Sequence, residues 1–76
     1  MFKIKNIKFG RNGSYNSLPK AIHYAYKKAE EFYTDLTGWR LSDFSVYTKE
    51  WENVRYVYVR SFAHNEDYRF AEIHTL

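Results

Sequence analysis

Three histidines and a few arginines are the side chains that could take part in chemistry, and their spacing predicts no catalytic or metal-binding motif. His23, His64 and His74 lie far apart along the chain, whereas zinc sites draw their ligands from short, recurrent spacings. The chain has no cysteine, and no serine lies in a nucleophile elbow. We therefore expect no metal site, no cofactor and no nucleophilic catalysis.

One enzymatic hypothesis stays open, a small metal-independent ribonuclease. Arg60, His64, Glu66 and Arg69 surround one predicted hairpin. His64, or alternatively His74, would act as a general acid or base, while the arginines would stabilise charge on the transferring phosphate. Charged residues are also usual at any solvated turn. We therefore expect a protein that is not an enzyme.

The distribution of charge and the high aromatic content favour a binding surface over a catalytic site. Seven of the 12 Lys and Arg residues precede residue 30 and all 9 Asp and Glu residues follow residue 29, so the two segments carry net charges of +7 and −4. Eight tyrosines, six phenylalanines and two tryptophans exceed what the core of a small domain can enclose. Exposed rings beside cations are typical of surfaces that bind single-stranded nucleic acid or protein. The alternative for the early lysines is protection of an edge strand from aggregation.

Residues 17–38 are predicted to form the only long helix, because apolar residues recur there with a period of 3.6. Ser17 is suited to the N-cap, Pro19 to the first turn and Gly38 to the C-cap. Ala25 and Ala29 would let the helix approach a β-sheet closely. The predicted apolar face consists of Leu18, Ala21, Ile22, Ala25, Ala29, Phe32, Tyr33 and Leu36.

Strands are predicted where residues alternate in polarity or are rich in β-branched and aromatic side chains. These segments are residues 2–9, 44–50, 55–62 and 68–75. A β-bulge at Lys5–Asn6 would keep the apolar residues of the first strand on one face, and the turn-rich residues 10–17 would be a plain connector. The order β-α-β-β-β predicts a single α+β domain over residues 1–76, with two layers and one helix packed on one face of a mainly antiparallel four-stranded sheet.

One helix leaves the other face of the sheet open, and this face is the predicted binding surface. Facing the helix we expect Phe44, Val46, Val57, Val59, Ala71 and Ile73. On or beside the open face we expect His74 and Lys49 together with the candidate contact residues Lys3, Lys5, Lys8, Arg11, Tyr47, Tyr56, Tyr58, Arg60, Tyr68 and Phe70. The inverse orientation of the third or fourth strand stays open as an alternative, because Tyr and Phe are also good core residues.

These features predict a small non-catalytic binding module that acts by occupying a macromolecular partner, with nucleic acid or a nucleoprotein complex favoured. The alternatives are an inhibitor or adaptor of the phage or mobile-element type that binds a host protein, and a homodimer formed through the open face. The sequence has no long apolar run and no signal-peptide core. We therefore expect no membrane partner and an intracellular, cytoplasmic location.

Overall fold

In the computed structural model, which describes residues 1–76, one helix lies on one side of an antiparallel sheet. The elements in chain order are β1 (Phe2–Lys5), β2 (Ser14–Tyr15), α1 (Leu18–Glu31), a π-helical turn (Phe32–Leu36), a 3₁₀ turn (Leu41–Asp43), β3 (Phe44–Trp51), β4 (Val54–Ser61) and β5 (Glu66–Thr75). The strands lie in the order β2-β1-β5-β4-β3, and every neighbouring pair is antiparallel. The α+β class and the antiparallel sheet are confirmed, but the sheet has five strands where four were predicted. No helix is both long enough and apolar enough to cross a membrane.

The extra strand arises because the predicted first strand is interrupted. β1 ends at Lys5, and Asn6 adopts a φ of 54°, a left-handed conformation that asparagine tolerates. The chain then turns back, so that Tyr15 of β2 pairs with Phe2. The prediction of one bulged strand over residues 2–9 is therefore wrong. Ile7 and Phe9 nevertheless pack against the core as their apolar character requires.

The start of α1 follows the capping signals in the sequence. The Ser17 hydroxyl accepts a hydrogen bond from the backbone N–H of Lys20 at 3.3 Å, and Pro19 lies in the first turn. Fully buried alanines form the contact with the sheet, namely Ala21, Ala25 and Ala29. Their small side chains let the helix axis come close to the strands, as predicted.

The end of the helical segment departs from the expected period. Residues Phe32–Leu36 form a π-helical turn, in which the Thr37 N–H bonds to the Phe32 carbonyl at 3.2 Å. A wider turn shifts side chains away from the 3.6-residue period. Leu36, predicted on the apolar face, is 62% exposed. Gly38 has a φ of 77°, as expected for a glycine just past a helix end.

A β-bulge in β5 decides which side chains face α1. Val57 pairs with Ala71 and Tyr58 pairs with Arg69, which leaves Phe70 as an extra residue in the ladder. A bulge breaks strict alternation, so two successive residues can lie on one face. Phe70 and Ala71 are both fully buried.

The bulge inverts the predicted orientation of the first half of β5. Tyr68 lies opposite the buried Val59, and its ring lies 6.5 Å from that of Trp39, so Tyr68 is on the helix side. The predictions that Tyr68 and Phe70 face the open side are therefore wrong. Arg69, which strict alternation would have directed toward the core, lies on the side opposite α1.

The core is one cluster between α1 and the sheet. Tyr33 lies at its aromatic centre, with ring centroids 4.8 Å from Trp39, 5.6 Å from Phe44 and 6.3 Å from Phe70. The predicted core residues of the sheet are confirmed, with Val46 partly buried at the edge. The buried cluster comprises Ile4, Ala21, Ala25, Ala29, Tyr33, Phe44, Val57, Val59, Phe70, Ala71 and Ile73.

Candidate functional site

The face of the sheet opposite α1, here called the open face, is arranged in rows that run across the strands. One row joins Tyr47, Tyr58 and Arg69, and the strand register places Lys49 beside Tyr56 in the next. The register and the alternation of each strand define its members. The open face comprises Lys3, Lys5, Ser45, Tyr47, Lys49, Trp51, Val54, Tyr56, Tyr58, Arg60, Asp67, Arg69, Glu72 and His74.

Arg69 is a cation held in place by two tyrosines. Its guanidinium carbon lies 4.3 Å from the ring centroid of Tyr56 and 5.8 Å from that of Tyr58, both within cation–π range. Its Nη2 donates a hydrogen bond to the Tyr58 hydroxyl at 3.3 Å. This hydrogen bond raises the pKa of Arg69 above its ordinary value. The ion pairs of the chain do not include Arg69, so its remaining N–H groups are available to an anion.

The tyrosines beside Arg69 form a continuous ring surface. Tyr47 stacks on Tyr58 with centroids 5.5 Å apart and planes 22° apart, and Tyr56 lies 6.4 Å from Tyr58. All three are half-buried. Loss of hydration is the main cause that raises the pKa of Tyr47, so its phenol stays neutral at physiological pH. Neutral rings that are partly exposed can stack with a planar ligand without repelling an anionic one.

A shallow depression of about 310 Å³ opens beside this ring surface. Its volume is at the lower end of the range for small-ligand pockets, about 300–1,000 Å³. Trp51 at the end of β3 is 64% exposed, so one large aromatic face is available there. The depression is lined by Lys49, Trp51, Tyr56, Tyr58 and Arg69.

The cations of the open face divide into paired and unpaired ones. Arg60 forms an ion pair with Asp67, with Nη1 and Oδ2 3.1 Å apart, and its Nη2 also bonds to the Asn65 side chain. Lys3, Lys5 and Lys49 take no part in the ion pairs of the chain. With Arg69 they supply the positive charge that a partner would meet.

Glu72 is the acid closest to the middle of the open face, and its charge is engaged within the protein. Its Oε1 lies 2.9 Å from His74 Nε2, and its Oε2 accepts a hydrogen bond from Asn6 Nδ2 at 3.0 Å. The bond to His74 is the main cause that lowers the pKa of Glu72. Because these partners occupy the carboxylate, it repels an approaching anion less than a free acid would.

Several predicted contact residues lie away from the open face. The Lys8 ammonium lies 5.9 Å from the Tyr68 ring on the helix side. The backbone N–H of Arg11 donates a hydrogen bond to the Tyr24 hydroxyl at 2.9 Å, beside α1. Phe70 is fully buried and cannot contact a partner. The predicted residues that the fold does bring together are Lys3, Lys5, Tyr47, Tyr56, Tyr58 and Arg60.

Sequence reasoning missed Trp51 and Arg69 as members of this surface. Trp51 continues the i, i+2 alternation of Tyr47 and Lys49, and that signal was present in the sequence. Arg69 could not be found this way, because only the bulge at Phe70 turns it to the open face.

The residues of the ribonuclease hypothesis are divided between the two faces. The His64 ring lies 6.5 Å from Trp39 on the helix side, whereas Arg69 lies on the open face and Arg60 is paired with Asp67. His74 is on the open face, with its Nε2 held by Glu72. No group of three His, Cys, Asp or Glu side chains could hold a metal ion.

Comparison with known proteins gives no relative for this chain. No family model matches it, and neither a curated protein nor a solved structure is similar to it. The function is therefore argued from the side chains of the open face.

Proposed function

We propose that this protein is a non-catalytic binding module whose open face holds a single-stranded nucleic acid, alone or as part of a nucleoprotein complex. The observation that carries the proposal is the Arg69 guanidinium held over Tyr56 and Tyr58 beside the exposed ring of Trp51. Proteins that bind single strands combine rings on which bases stack with cations that follow the backbone.

The ring surface supports the stacking part of this proposal. Trp51 offers its face to solvent, and the depression next to it has room for a planar group. A base placed on Trp51 would lie beside Arg69, whose free N–H groups suit a phosphate or a base edge. Each stacked base contributes about 1–3 kcal/mol.

The placement of the cations supports the phosphate part. β3 carries Lys49, and β1, which lies beyond β4 and β5, carries Lys3 and Lys5. Neighbouring strands are about 4.8 Å apart, so the cations flank the rings on both sides over about 14 Å. A strand crossing the face from β3 to β1 would meet Lys49, the rings with Arg69, the carboxylate of Glu72 that His74 and Asn6 engage, and then Lys3 and Lys5.

The proposal is tested by the salt dependence of binding to a short labelled oligonucleotide of mixed sequence, measured by fluorescence anisotropy. The slope of log affinity against log salt should be about −0.7 per phosphate neutralised. Changing Lys3→Ala and Lys5→Ala together should flatten the slope by about 1.4. Lys8→Ala, which lies on the helix side beside Tyr68, is the control and should leave the slope unchanged.

Stacking is tested separately with Trp51→Ala, which should weaken binding by about 1–3 kcal/mol. Ser45→Ala on the same face carries neither ring nor charge and should have no effect. Absence of binding to single-stranded and duplex RNA and DNA at low salt would refute the proposal.

A protein partner is the second candidate, because an exposed Trp beside Tyr and Arg is also the composition of an interface hot spot. This reading corresponds to an inhibitor or adaptor of the phage or mobile-element type, or to a homodimer through the open face. It predicts that Trp51→Ala removes binding to a protein, while changes at Lys3 and Lys5 alter mainly the association rate. Sedimentation of the free protein tests the homodimer.

The ribonuclease reading is tested on the same samples. Purified protein should leave RNA intact in the absence of metal. Cleavage that disappears in His74→Ala or His64→Ala would replace binding with catalysis, since a general acid or base typically contributes about 10²–10⁴ in rate.

A further inference from the structure

A second depression lies on the opposite side of the molecule, along the outer surface of α1 and the neighbouring β2. Its volume is about 470 Å³, larger than the depression on the open face. We call it the helix groove, and it is lined by Tyr15, Pro19, Lys20, His23, Tyr24 and Lys27. None of these residues belongs to the open face, so the groove is independent of the proposed function.

The floor of the helix groove is apolar and fixed in position. The rings of Tyr15 and Tyr24 pack against each other with centroids 5.7 Å apart. The Tyr24 hydroxyl accepts a hydrogen bond from the backbone N–H of Arg11 at 2.9 Å. This bond connects the loop after β1 to the helix. Pro19 adds a rigid aliphatic ring. Burial, followed by the neighbouring Tyr24, raises the pKa of Tyr15, so the Tyr15 phenol stays uncharged at neutral pH.

The rim of the helix groove is cationic. Lys20 and Lys27 are two helical turns apart, about 10 Å along the axis, and His23 lies between them. Neither lysine belongs to an ion pair, whereas Lys28 is paired with Glu31 at 3.1 Å. The chain has no acidic residue before Glu30. Glu30 and Glu31 follow Lys27 by about one helical turn, but neither forms an ion pair with it. The groove therefore combines an apolar floor with two lysines that are not ion-paired.

We infer that the helix groove binds an acidic segment of a partner protein, with one bulky apolar side chain on the floor and carboxylates at Lys20 and Lys27. Charge complementarity selects an anionic partner. The floor favours a peptide over a nucleic acid, because it has no ring as exposed as Trp51: Tyr15 and Tyr24 are half-buried and pack on each other. An apolar depression flanked by a few cations suits a peptide in which an apolar side chain lies between acidic residues.

The open face and the helix groove lie on opposite sides of the sheet, so both can be occupied at the same time. The protein would then join an acidic protein segment to whatever the open face holds.

The test uses the full chain and three blocked peptides in an amide chemical-shift titration at low salt. The first has a Phe-Leu pair flanked on each side by Asp and Glu. The second replaces the acids with Asn and Gln, and the third replaces the apolar pair with Ala-Ala. The first peptide alone should shift the amides of Tyr15, His23 and Tyr24, and its affinity should exceed that of the other two by about tenfold or more.

Variants locate the binding. Lys20→Glu with Lys27→Glu should weaken the first peptide by about tenfold or more, whereas Lys8→Glu, at an exposed lysine outside both sites, is the control and should leave it unchanged. Both helix lysines are exposed, and circular dichroism checks folding. If that pair does not fold, Lys20→Gln with Lys27→Gln takes its place with the same expected direction.

Three results would overturn the inference: no shift with any peptide, equal binding of all three, or binding that is indifferent to the helix lysines. Stronger shifts of the same amides by a single-stranded oligonucleotide would assign the groove to nucleic acid instead. Oligonucleotide binding that depends on Trp51 reports on the open face alone, so failure of one site is distinguishable from failure of the other.

Discussion

On the side of the sheet that faces α1, Tyr33 and Phe70 are almost fully enclosed, whereas Tyr47 and Tyr58 on the other side stack on each other and stay half-exposed. The enclosed rings touch other apolar groups from the helix and the strands. On the open face, the rings of Tyr56 and Tyr58 contact the Arg69 guanidinium instead. The same residue types thus stabilise the fold on one side and remain available to a partner on the other.

A single bulge maintains this difference. If β5 had no bulge, strict alternation would turn the Phe70 side chain to solvent and the Arg69 side chain into the core. An unpaired charge in the core is strongly disfavoured. With it, the large apolar ring is buried and the cation reaches the two tyrosines. The bulge is therefore the local feature on which both faces depend.

The largest expected effect is on the enclosed side. Phe70→Ala should lower the free energy of unfolding by about 3–5 kcal/mol, because it removes a buried ring and leaves a cavity. Tyr47→Ala is the matched change on the open face and should lower it by about 1 kcal/mol, the value of one aromatic pair. Urea unfolding monitored by circular dichroism measures both. Equal losses would mean that the two faces do not differ in burial as described.

A second comparison uses the close contact of α1 with the sheet. Ala29→Leu should overpack this contact and lower the free energy of unfolding by about 1–3 kcal/mol. Lys27→Leu on the exposed side of the same helix should change it by less than about 0.5 kcal/mol. The same denaturation assay applies, and an unchanged melting temperature in both variants would show that the buried face of α1 is assigned wrongly.

A third prediction separates binding from stability on the open face. Arg69→Ala should weaken oligonucleotide binding by about tenfold, the loss expected for charge-assisted hydrogen bonds, while the melting temperature stays near that of the wild type. Arg69→Lys keeps the charge but loses the planar group that lies on Tyr56, so its affinity should be intermediate. Anisotropy and thermal melts of the same samples provide both values, and wild-type affinity in Arg69→Ala would contradict the role given to this residue.

The smallest expected effect concerns Glu72. Its pKa is lowered in the folded protein from an ordinary value of 4.5, first by the hydrogen bond to His74. A lowered pKa means that the folded state favours the ionised form, so the stabilisation is present above the unfolded pKa and is lost as the pH falls through the folded one. Glu72→Gln should therefore be less stable than the wild type at neutral pH, and the difference should shrink below about pH 4. A difference that stays constant through that range would show that the carboxylate charge is not responsible.

The sequence contained enough to predict the helix, its caps and most of the core. The period of Ala21, Ala25 and Ala29 and the hydroxyl of Ser17 act within a few residues of each other, so their effect can be inferred locally. The short β2 could not be predicted, because Ser14–Tyr15 has no alternation of its own and forms a strand only by pairing with β1.

Part of the candidate site was also predictable, because some of its residues are placed by the local alternation of a strand. Tyr47, Tyr56 and Tyr58 follow regular alternation in β3 and β4, so their common face was evident. Arg69 and Tyr68 depend on a bulge whose position is set by tertiary packing of Phe70, and no turn residue in the strand signals it. Lys8 and Arg11 were misplaced because the chain leaves the sheet at Asn6.

The most direct test of the central claim is an amide and side-chain chemical-shift map of the protein titrated with a short single-stranded oligonucleotide at low salt. The proposed function predicts that the largest shifts fall on Trp51, Tyr56, Tyr58 and Arg69, while the buried Ala25 of α1 does not change. Absence of binding, or shifts confined to α1 with the open face unchanged, would contradict the proposal that this face holds a nucleic acid.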